Sequence, residues 1–233
     1  MLTDGLMCSP LLAQLKPEVV KQLAGQSFLR AVNDDEVLCH QNDPAQCLWL
    51  VLDGWVKLTR ETLDGGDVVW DVLGTGHMVG LEVLAGQAVH TTRVQAVGQG
   101  SVVVLPLAAL KALLDKDVAF TRALLNHAIE QQQQDRLEME HRSQQTAPQR
   151  IGCFLLKLAG APTKGALEVL LPFDKGLLAA RLGMQPETFS RALAKLKQET
   201  GLQMHGARVH MADASVLQVY TCGGCSGSYP CRE

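Results

Sequence analysis

The clearest pattern in the chain lies at residues 174–200, DKGLLAARLGMQPETFSRALAKLKQET. Residues 174–182 form a short amphipathic segment that predicts a helix, and Gly183 can take the left-handed conformation that ends one. Pro186 stands where the first turn of a second helix tolerates proline, and the helical pattern continues to Glu199. Two short helices joined by so tight a turn predict a helix-turn-helix, whose second helix enters the DNA major groove.

Three polar residues share one face of this second helix, because Glu187, Ser190 and Arg191 are spaced i, i+3, i+4. An arginine can hold guanine bidentately, and a glutamate can accept a hydrogen bond from N4 of cytosine. Residues 202–210 predict a β-hairpin wing around a central glycine. A helical hairpin of ordinary core packing could mimic one of these signals, but their agreement favours DNA recognition.

The charge of the chain is unevenly distributed. Residues 150–210 contain nine Lys or Arg and four Asp or Glu, a net charge of +5, whereas the whole chain carries −3. We interpret this asymmetry as a basic module attached to an acidic one, the alternative being ordinary unevenness between two halves.

Length and composition exclude several classes of protein. The 233 residues make one large domain or two small ones, and 47% hydrophobic with 19% charged residues excludes a disordered chain. No apolar run reaches the length of a membrane span, and residues 1–9 lack the pattern of a signal peptide. We therefore expect a cytoplasmic protein without a membrane partner.

The first half of the chain has a different texture. Residues 10–24 predict short helical segments. From about Phe28 to Leu107, short runs rich in Val, Leu and Trp alternate with turn signals such as Asp53-Gly54 and Asp64-Gly65-Gly66-Asp67. Turn signals at this spacing predict a compact antiparallel β-roll.

A helical pattern resumes at Leu107 and continues past Glu140. A helix of about thirty residues is longer than a globular domain needs and suggests a dimer coiled coil, the alternative being two shorter helices with a break near Asp115–Lys116. Glutamines at residues 131–134 predict a weak dimer that a signal can shift. The predicted seam residues are Leu125, Ala128, Gln132 and Asp135.

This order of elements resembles the CRP/FNR superfamily of bacterial transcription regulators over residues 10–220. Residues 48–58 look like the strand-turn-strand of that family, and residues 64–66 look like its hairpin flap. Glu187-Thr188-x-Ser190-Arg191 is similar to the DNA-reading segment of the FNR-like branch, which binds TTGAT-type half-sites. The resemblance implies an α+β fold with an N-terminal antiparallel, cyclic-nucleotide-binding-like β-roll, a long dimerisation helix and a C-terminal winged helix-turn-helix.

The implied domains are a sensory roll with N-terminal helices, a dimerisation helix with a hinge, a winged helix-turn-helix and a cysteine-rich tail. Their expected bounds are 1–107, 108–146, 147–220 and 221–233. The resemblance also implies a homodimeric regulator, not an enzyme, with double-stranded DNA and RNA polymerase as partners.

The resemblance assigns roles to six residues of the second helix. Arg191 and Glu187 would bind the central G·C pair, and Ser190 a neighbouring thymine. The remaining three, which would contact the phosphate backbone, are Thr188, Lys195 and Lys197.

The ligand-binding segment of the roll departs from the cyclic-nucleotide branch. Leu81 occupies the position of a glutamate, His90 that of an arginine, and Arg93 lies three residues further on. Leucine cannot accept a hydrogen bond from ribose, and histidine replaces a bidentate guanidinium poorly. We therefore expect that cyclic AMP is not the effector.

Seven cysteines are present: Cys8, Cys39, Cys47, Cys153, Cys222, Cys225 and Cys231. The last three lie within ten residues among glycines, a spacing that favours metal or redox chemistry over core packing. Such a trio can hold a [4Fe–4S] cluster with a fourth ligand from elsewhere.

The tail resembles that of a Gram-positive subgroup of FNR-like regulators, whose fourth cluster ligand is a carboxylate on the dimer helix. That resemblance makes Asp135 the first choice for the fourth ligand and Cys153 the second. The implied signals are oxygen, nitric oxide or redox state. A thiol–disulfide switch, zinc, haem, another small-molecule effector or a tail without function remain alternatives.

Two other classes of protein stay open at this point. One is an enzyme with a cupin-type metal site, although the clustered His-x-His ligands of that fold are absent from the sequence. The other is a cyclic-nucleotide-binding adaptor that regulates a protein and does not bind DNA.

Overall fold

In the first half of the computed structural model, one antiparallel sheet is preceded and followed along the chain by helices. The structure describes residues 2–160 and 164–223, and it divides into two units, Met1–Ile129 and Glu130–Glu233. The elements of the first unit are α1 (Leu2–Leu6), α2 (Pro17–Ala24), β1 (Phe28–Val32), β2 (Val37–Cys39), β3 (Cys47–Glu61), β4 (Asp67–Leu73), β5 (Met78–Val79), β6 (Arg93–Pro106), α3 (Leu107–Lys116) and the start of α4 (Val118–Gln144).

The two longest strands organise the sheet of the first unit. β6 pairs with β1, β2 and β3, and β3 pairs in addition with β4 and β5. β3 bends at Gly54, whose φ of 81° suits glycine, and Asp53 O lies so close to Gly100 that a side chain there would overlap it. The register of β3 with β6 shifts on either side of Asp53. The 15-residue strand β3 pairs with β5 before this irregularity and with β4 after it.

The three tryptophans of the first unit differ in their exposure and in the groups that they contact. Trp49 is 2% exposed and its ring lies 5.0 Å from that of His90. Trp55 packs so closely on Gly74 that a Cβ at Gly74 would lie 2.9 Å from its ring. Trp70 is 57% exposed, and the guanidinium of Arg60 lies 4.3 Å from its ring centroid, a cation–π contact.

The predicted continuous helix from Leu107 is interrupted, so the expectation of one long helix is wrong at its start. α3 ends at Lys116, Asp117 is extended, and α4 then runs for 27 residues. The carboxylate of Asp117 accepts a hydrogen bond from the amide of Phe120, which satisfies one of the free donors at the start of α4. The break lies close to the alternative position predicted from the sequence, and α4 retains the length expected of a dimer helix.

The second unit contains the end of α4 and a small helical module with a three-stranded sheet. Its elements are α5 (Ala147–Leu158), β7 (Leu167–Leu170), α6 (Lys175–Arg181), α7 (Pro186–Thr200), β8 (Gln203–His205), β9 (Arg208–Met211) and α8 (Ala214–Cys222). The sheet order is β7-β9-β8, and α5 packs against α7 and α8.

Local sequence determines where the helices of the second unit begin. Pro148 lies in the first turn of α5, and Gln149 Oε1 accepts the amide of Thr146 at 2.9 Å in a capping box. Asp174 and Asp213 cap α6 and α8 through their carboxylates.

The predicted fold class is confirmed. An N-terminal antiparallel sheet, a long helix and a C-terminal winged helix-turn-helix follow one another in the expected order. Among the residues that the structure describes, no helix is both long enough and apolar enough to cross a membrane.

Candidate nucleic-acid interface and sensor residues

The turn between α6 and α7 has the geometry of a helix-turn-helix. Gly183 adopts a φ of 64°, the left-handed conformation that the sequence predicted for it. The amide of Met184 donates to Ala179 O at 2.9 Å, and the Met184 side chain is buried. The turn is therefore fixed by backbone hydrogen bonds on one side and apolar burial on the other.

α7 has a buried face and an exposed face. Its buried residues follow helical spacing: Phe189, Ala192, Leu193, Leu196 and Thr200. Glu187, Ser190, Arg191 and Lys195 are exposed on the opposite side, whereas Thr188 and Lys197 are half-buried. The three side chains expected to contact bases thus share one exposed surface at the N-terminal half of the helix.

The wing follows α7 directly. β8 and β9 pair from Gln203 with His210 to His205 with Arg208, and Gly206 in the turn has a φ of 63°. Gln203, His205 and Arg208 are exposed, and Val209 is buried under them. The sequence predicted the hairpin but assigned no role to these exposed polar side chains, although alternation of exposed and buried residues could have identified them.

Two arginines tie the end of α6 to neighbouring helices. Arg181 donates to both carboxylate oxygens of Glu138 on α4, at 2.9 and 3.2 Å. Arg150 on α5 donates from Nη1 to Leu182 O at 3.4 Å, at the C-terminus of α6. The Arg181–Glu138 pair could not be predicted from local sequence, since its partners lie 43 residues apart.

The four predicted seam residues of α4 are all exposed in the single chain: Leu125, Ala128, Gln132 and Asp135. Leu125 is 59% exposed, and three further apolar side chains outside the predicted seam are exposed on the same helix, namely Val118, Ile129 and Met139. The intervals between positions 118, 125, 129, 132 and 139 are seven, four, three and seven residues, a heptad spacing that could have identified them. Gln131 Nε2 donates to Asp135 Oδ1 at 3.2 Å.

The predicted metal ligands are only partly within the structure. Cys222 is half-buried as the last residue of α8, and its Sγ lies 3.6 Å from Thr221 Oγ1. Cys225 and Cys231 lie outside the described residues. Cys153 is buried, with its Sγ 4.0 Å from His141 Nδ1. Within residues 2–160 and 164–223, no three His, Cys, Asp or Glu side chains form a group that could hold a metal ion.

The three thiols of the first unit all have a raised pKa. Burial raises the pKa of Cys39 to about 12, and its Sγ donates weakly to Thr92 O at 3.8 Å. Burial also raises the pKa of Cys8 and of Cys47. The thiolate is the reactive form of cysteine, so Cys39, which is also buried, is poorly suited to redox sensing.

The segment after β5 encloses His90 inside the roll. His90 is 2% exposed, and burial lowers its pKa although Glu82 and Asp43 oppose that shift. Glu82 accepts a hydrogen bond from Thr91 Oγ1 at 3.2 Å, and Leu81 packs against the apolar core. Arg93 Nη1 lies 3.7 Å from Asp67 Oδ2. Within the described residues, Nδ1 of His90 has no hydrogen-bond partner.

Two family models match the chain in the order of these units. Residues 29–117 match the cyclic nucleotide-binding domain, and residues 149–220 match the Crp-like helix-turn-helix domain. The second match contains α6, α7 and the wing. The fold and the site therefore define a transcription regulator with a DNA-binding helix-turn-helix.

Known proteins with the same arrangement extend this result. A crystal structure from Ruegeria pomeroyi, described as that of a candidate cyclic nucleotide binding protein, is 31% identical with a TM-score of 0.71 and covers 94% of this chain and 96% of its own. The cyclic AMP receptor protein of Thermus thermophilus is 27% identical over 90% of this chain and 95% of the relative. The transcriptional activator protein anr of Pseudomonas aeruginosa is 25% identical over 81% of this chain and 78% of the relative. The chain belongs to the CRP/FNR superfamily.

Proposed function

We propose that the protein is a homodimer that recognises a TTGAT-type palindrome through the exposed face of α7. The observation that carries this proposal is the common exposed surface of Glu187, Ser190 and Arg191 on a helix whose opposite face is buried. Arg191 and Glu187 bind the central G·C pair, and Ser190 contacts a neighbouring thymine. Thr188, Lys195 and Lys197 contact phosphates, which makes binding weaker as salt is raised.

Dimerisation through α4 brings two copies of α7 to successive major grooves. Exposed apolar residues at Leu125 and Ile129 support a helix pair, and the polar residues Gln132 and Asp135 keep that pair weak enough for a signal to shift it. A dimer placed on a promoter in this way has RNA polymerase as its natural partner.

A band-shift titration with a TTGAT-N4-ATCAA duplex tests the DNA site. We expect Arg191→Ala to weaken binding by about tenfold or more, since a bidentate arginine–guanine contact discriminates by about 1–3 kcal/mol. The variant should also lose its preference at the G·C pair. Lys111→Ala removes one exposed positive charge outside residues 150–210 and is the matched control. Equal binding of the palindrome and a scrambled duplex by wild-type protein would refute the site.

For the sensor, we propose that Cys222, Cys225 and Cys231 hold a [4Fe–4S] cluster with Asp135, or alternatively Cys153, as fourth ligand. Their spacing in the sequence supports this assignment, as does the position of Cys222 at the end of a helix, where its thiol is partly exposed. When bound, such a cluster supplies reactivity toward oxygen and nitric oxide.

Anaerobic purification followed by an absorption spectrum and iron and sulfide analysis tests the cluster. We expect a coloured, iron-containing wild-type protein, and a colourless Cys222→Ser variant. Cys39→Ser is the matched control, because Cys39 is buried in the first unit. Iron-free wild-type protein after reconstitution would refute the cluster. A response to oxidant that is then still lost in Cys222→Ser would favour the thiol–disulfide alternative, whereas bound zinc or haem would favour those groups.

We further propose that cyclic AMP is not the effector. The residues of the ligand-binding segment do not fit a nucleotide: Leu81 packs in the core, Glu82 already accepts from Thr91, and His90 fills the interior against Trp49. A charged phosphate would also meet a histidine whose pKa is lowered by burial. Isothermal titration with cyclic AMP should give no binding heat, and saturable binding would refute this proposal.

A further inference from the structure

At the junction of α4, α5 and α6, the carboxylate of Glu138 lies among several cations. Glu138 on α4 accepts two hydrogen bonds from Arg181 on α6, and both side chains are partly buried. A bidentate pair of this kind fixes orientation as well as distance, because the planar guanidinium must face the planar carboxylate.

The surrounding charges make Glu138 important for this junction. Burial raises the pKa of Glu138, but the hydrogen bond and charge of Arg181, followed by the charges of Lys157 and Arg142, outweigh burial and lower it. Arg142 lies one turn further along α4, and Lys157 lies on α5. Without the carboxylate, cations from three helices would repel one another across the junction.

The junction lies close to the recognition helix along the chain. Residues 182–185 alone separate Arg181 from the start of α7 at Pro186. Arg150 provides a second attachment at the same end of α6 through Leu182 O. The attachment of α6 to α4 through Arg181 and to α5 through Leu182 O therefore sets the direction of α7 relative to the end of α4.

From this geometry we infer that Glu138 and Arg181 are positioning residues for DNA recognition. The pair holds the helix-turn-helix at a fixed angle to the end of α4, and in the dimer that angle sets the spacing of the two half-sites that can be bound at once. Neither residue contacts DNA in this role. The inference rests on the proposed dimeric function.

Glu138→Gln tests the role with little change in shape, and Glu130→Gln, at an exposed position of the same helix, is the matched control. Three DNA duplexes are compared: the TTGAT-N4-ATCAA palindrome, a palindrome with one base pair added to the spacer, and a single half-site. We expect Glu138→Gln to weaken palindrome binding by about tenfold, the scale of a lost charge-pair coupling, and to leave half-site affinity within about twofold. Its preference for the four-base-pair spacer should also decrease.

Arg181→Gln should give the same changes, and the double variant should be no worse than either single variant, because each removes the same pair. Unchanged spacer preference in both variants would overturn the inference. Equal losses on the palindrome and the half-site would also overturn it, since the pair would then only stabilise the reading module.

A measurement without DNA separates this inference from the proposed function. Hydrogen exchange of the α6 amides, residues 175–181, should be faster in Glu138→Gln than in Glu130→Gln if the ion pair holds α6. Unchanged exchange would refute the positioning role. Failure of wild-type protein to bind the palindrome would instead refute the proposed function, so the two failures are distinguishable.

Discussion

Gly152→Ala tests the contact between α5 and α8. A Cβ at this position would overlap Thr221 Cγ2 and lie 3.0 Å from Leu217 Cδ1, and both neighbours are fully buried. Thr221 cannot easily rotate away, because its hydroxyl donates to Leu217 O at 2.8 Å. The substitution therefore either moves α8 or breaks that hydrogen bond.

Two opposing effects determine the size of the change. Alanine is favoured over glycine inside a helix by about 1 kcal/mol. Overpacking a close-packed contact costs about 1–3 kcal/mol, and we expect the upper end because two buried side chains are displaced. The net result is a loss of about 2 kcal/mol in the free energy of unfolding.

Guanidinium unfolding followed by far-ultraviolet circular dichroism measures this loss. Thr221→Ser removes Cγ2 and retains the hydroxyl, so the double variant should recover at least about 1 kcal/mol relative to the sum of the single changes. A Gly152→Ala variant that is more stable than wild type, or strict additivity with Thr221→Ser, would refute the reasoning.

Four further outcomes are expected. Asp174→Ala should lower stability by about 1 kcal/mol in the same unfolding measurement, because the cap on the amide of Leu177 is lost. The pKa of Glu138 is lowered in the folded state. The stabilisation by its carboxylate is therefore present above the unfolded pKa and is lost as pH falls through the folded pKa. Glu138→Gln should reduce this loss of unfolding free energy at acid pH in unfolding titrations. Iodoacetamide at mildly alkaline pH should label Cys39 only after unfolding, as judged by mass spectrometry, because its pKa is about 12. Ile129→Glu should shift the dimer to monomer in analytical ultracentrifugation, while Glu130→Gln should not.

The helix-turn-helix could be predicted from the sequence because its signals act over a few residues. Gly183 and Pro186 each constrain the backbone at their own position, and the spacing of Glu187, Ser190 and Arg191 alone places them on one helical face. The alternation of short apolar runs and turns predicted the roll in the same way.

The break before α4 could not be placed from the sequence with the same certainty. The apolar spacing on either side is compatible with one helix or two, and the outcome depends on the carboxylate of Asp117 capping Phe120. A continuous helix and a capped restart give the same hydrophobic pattern.

Contacts between distant segments were the least predictable. The Arg181–Glu138 pair joins positions 43 residues apart, and nothing in either local sequence identifies the partner. Ile129 is absent from the predicted seam for a related reason. Apolar residues of α4 lie on more than one row at helical spacing, and the sequence alone does not show which row is exposed. The cluster assignment on Cys225 and Cys231 stays a prediction, since both lie outside the described residues.

The tryptophans are confined to one of the two units, so their fluorescence reports on that unit. All three tryptophans, Trp49, Trp55 and Trp70, belong to the first unit, and the second unit has none. Intrinsic tryptophan emission therefore monitors the roll alone, with Trp70 as its solvent-exposed emitter and Trp49 as its buried one. Unfolding of the DNA-reading unit alone should therefore change the circular dichroism without a matching change in tryptophan emission.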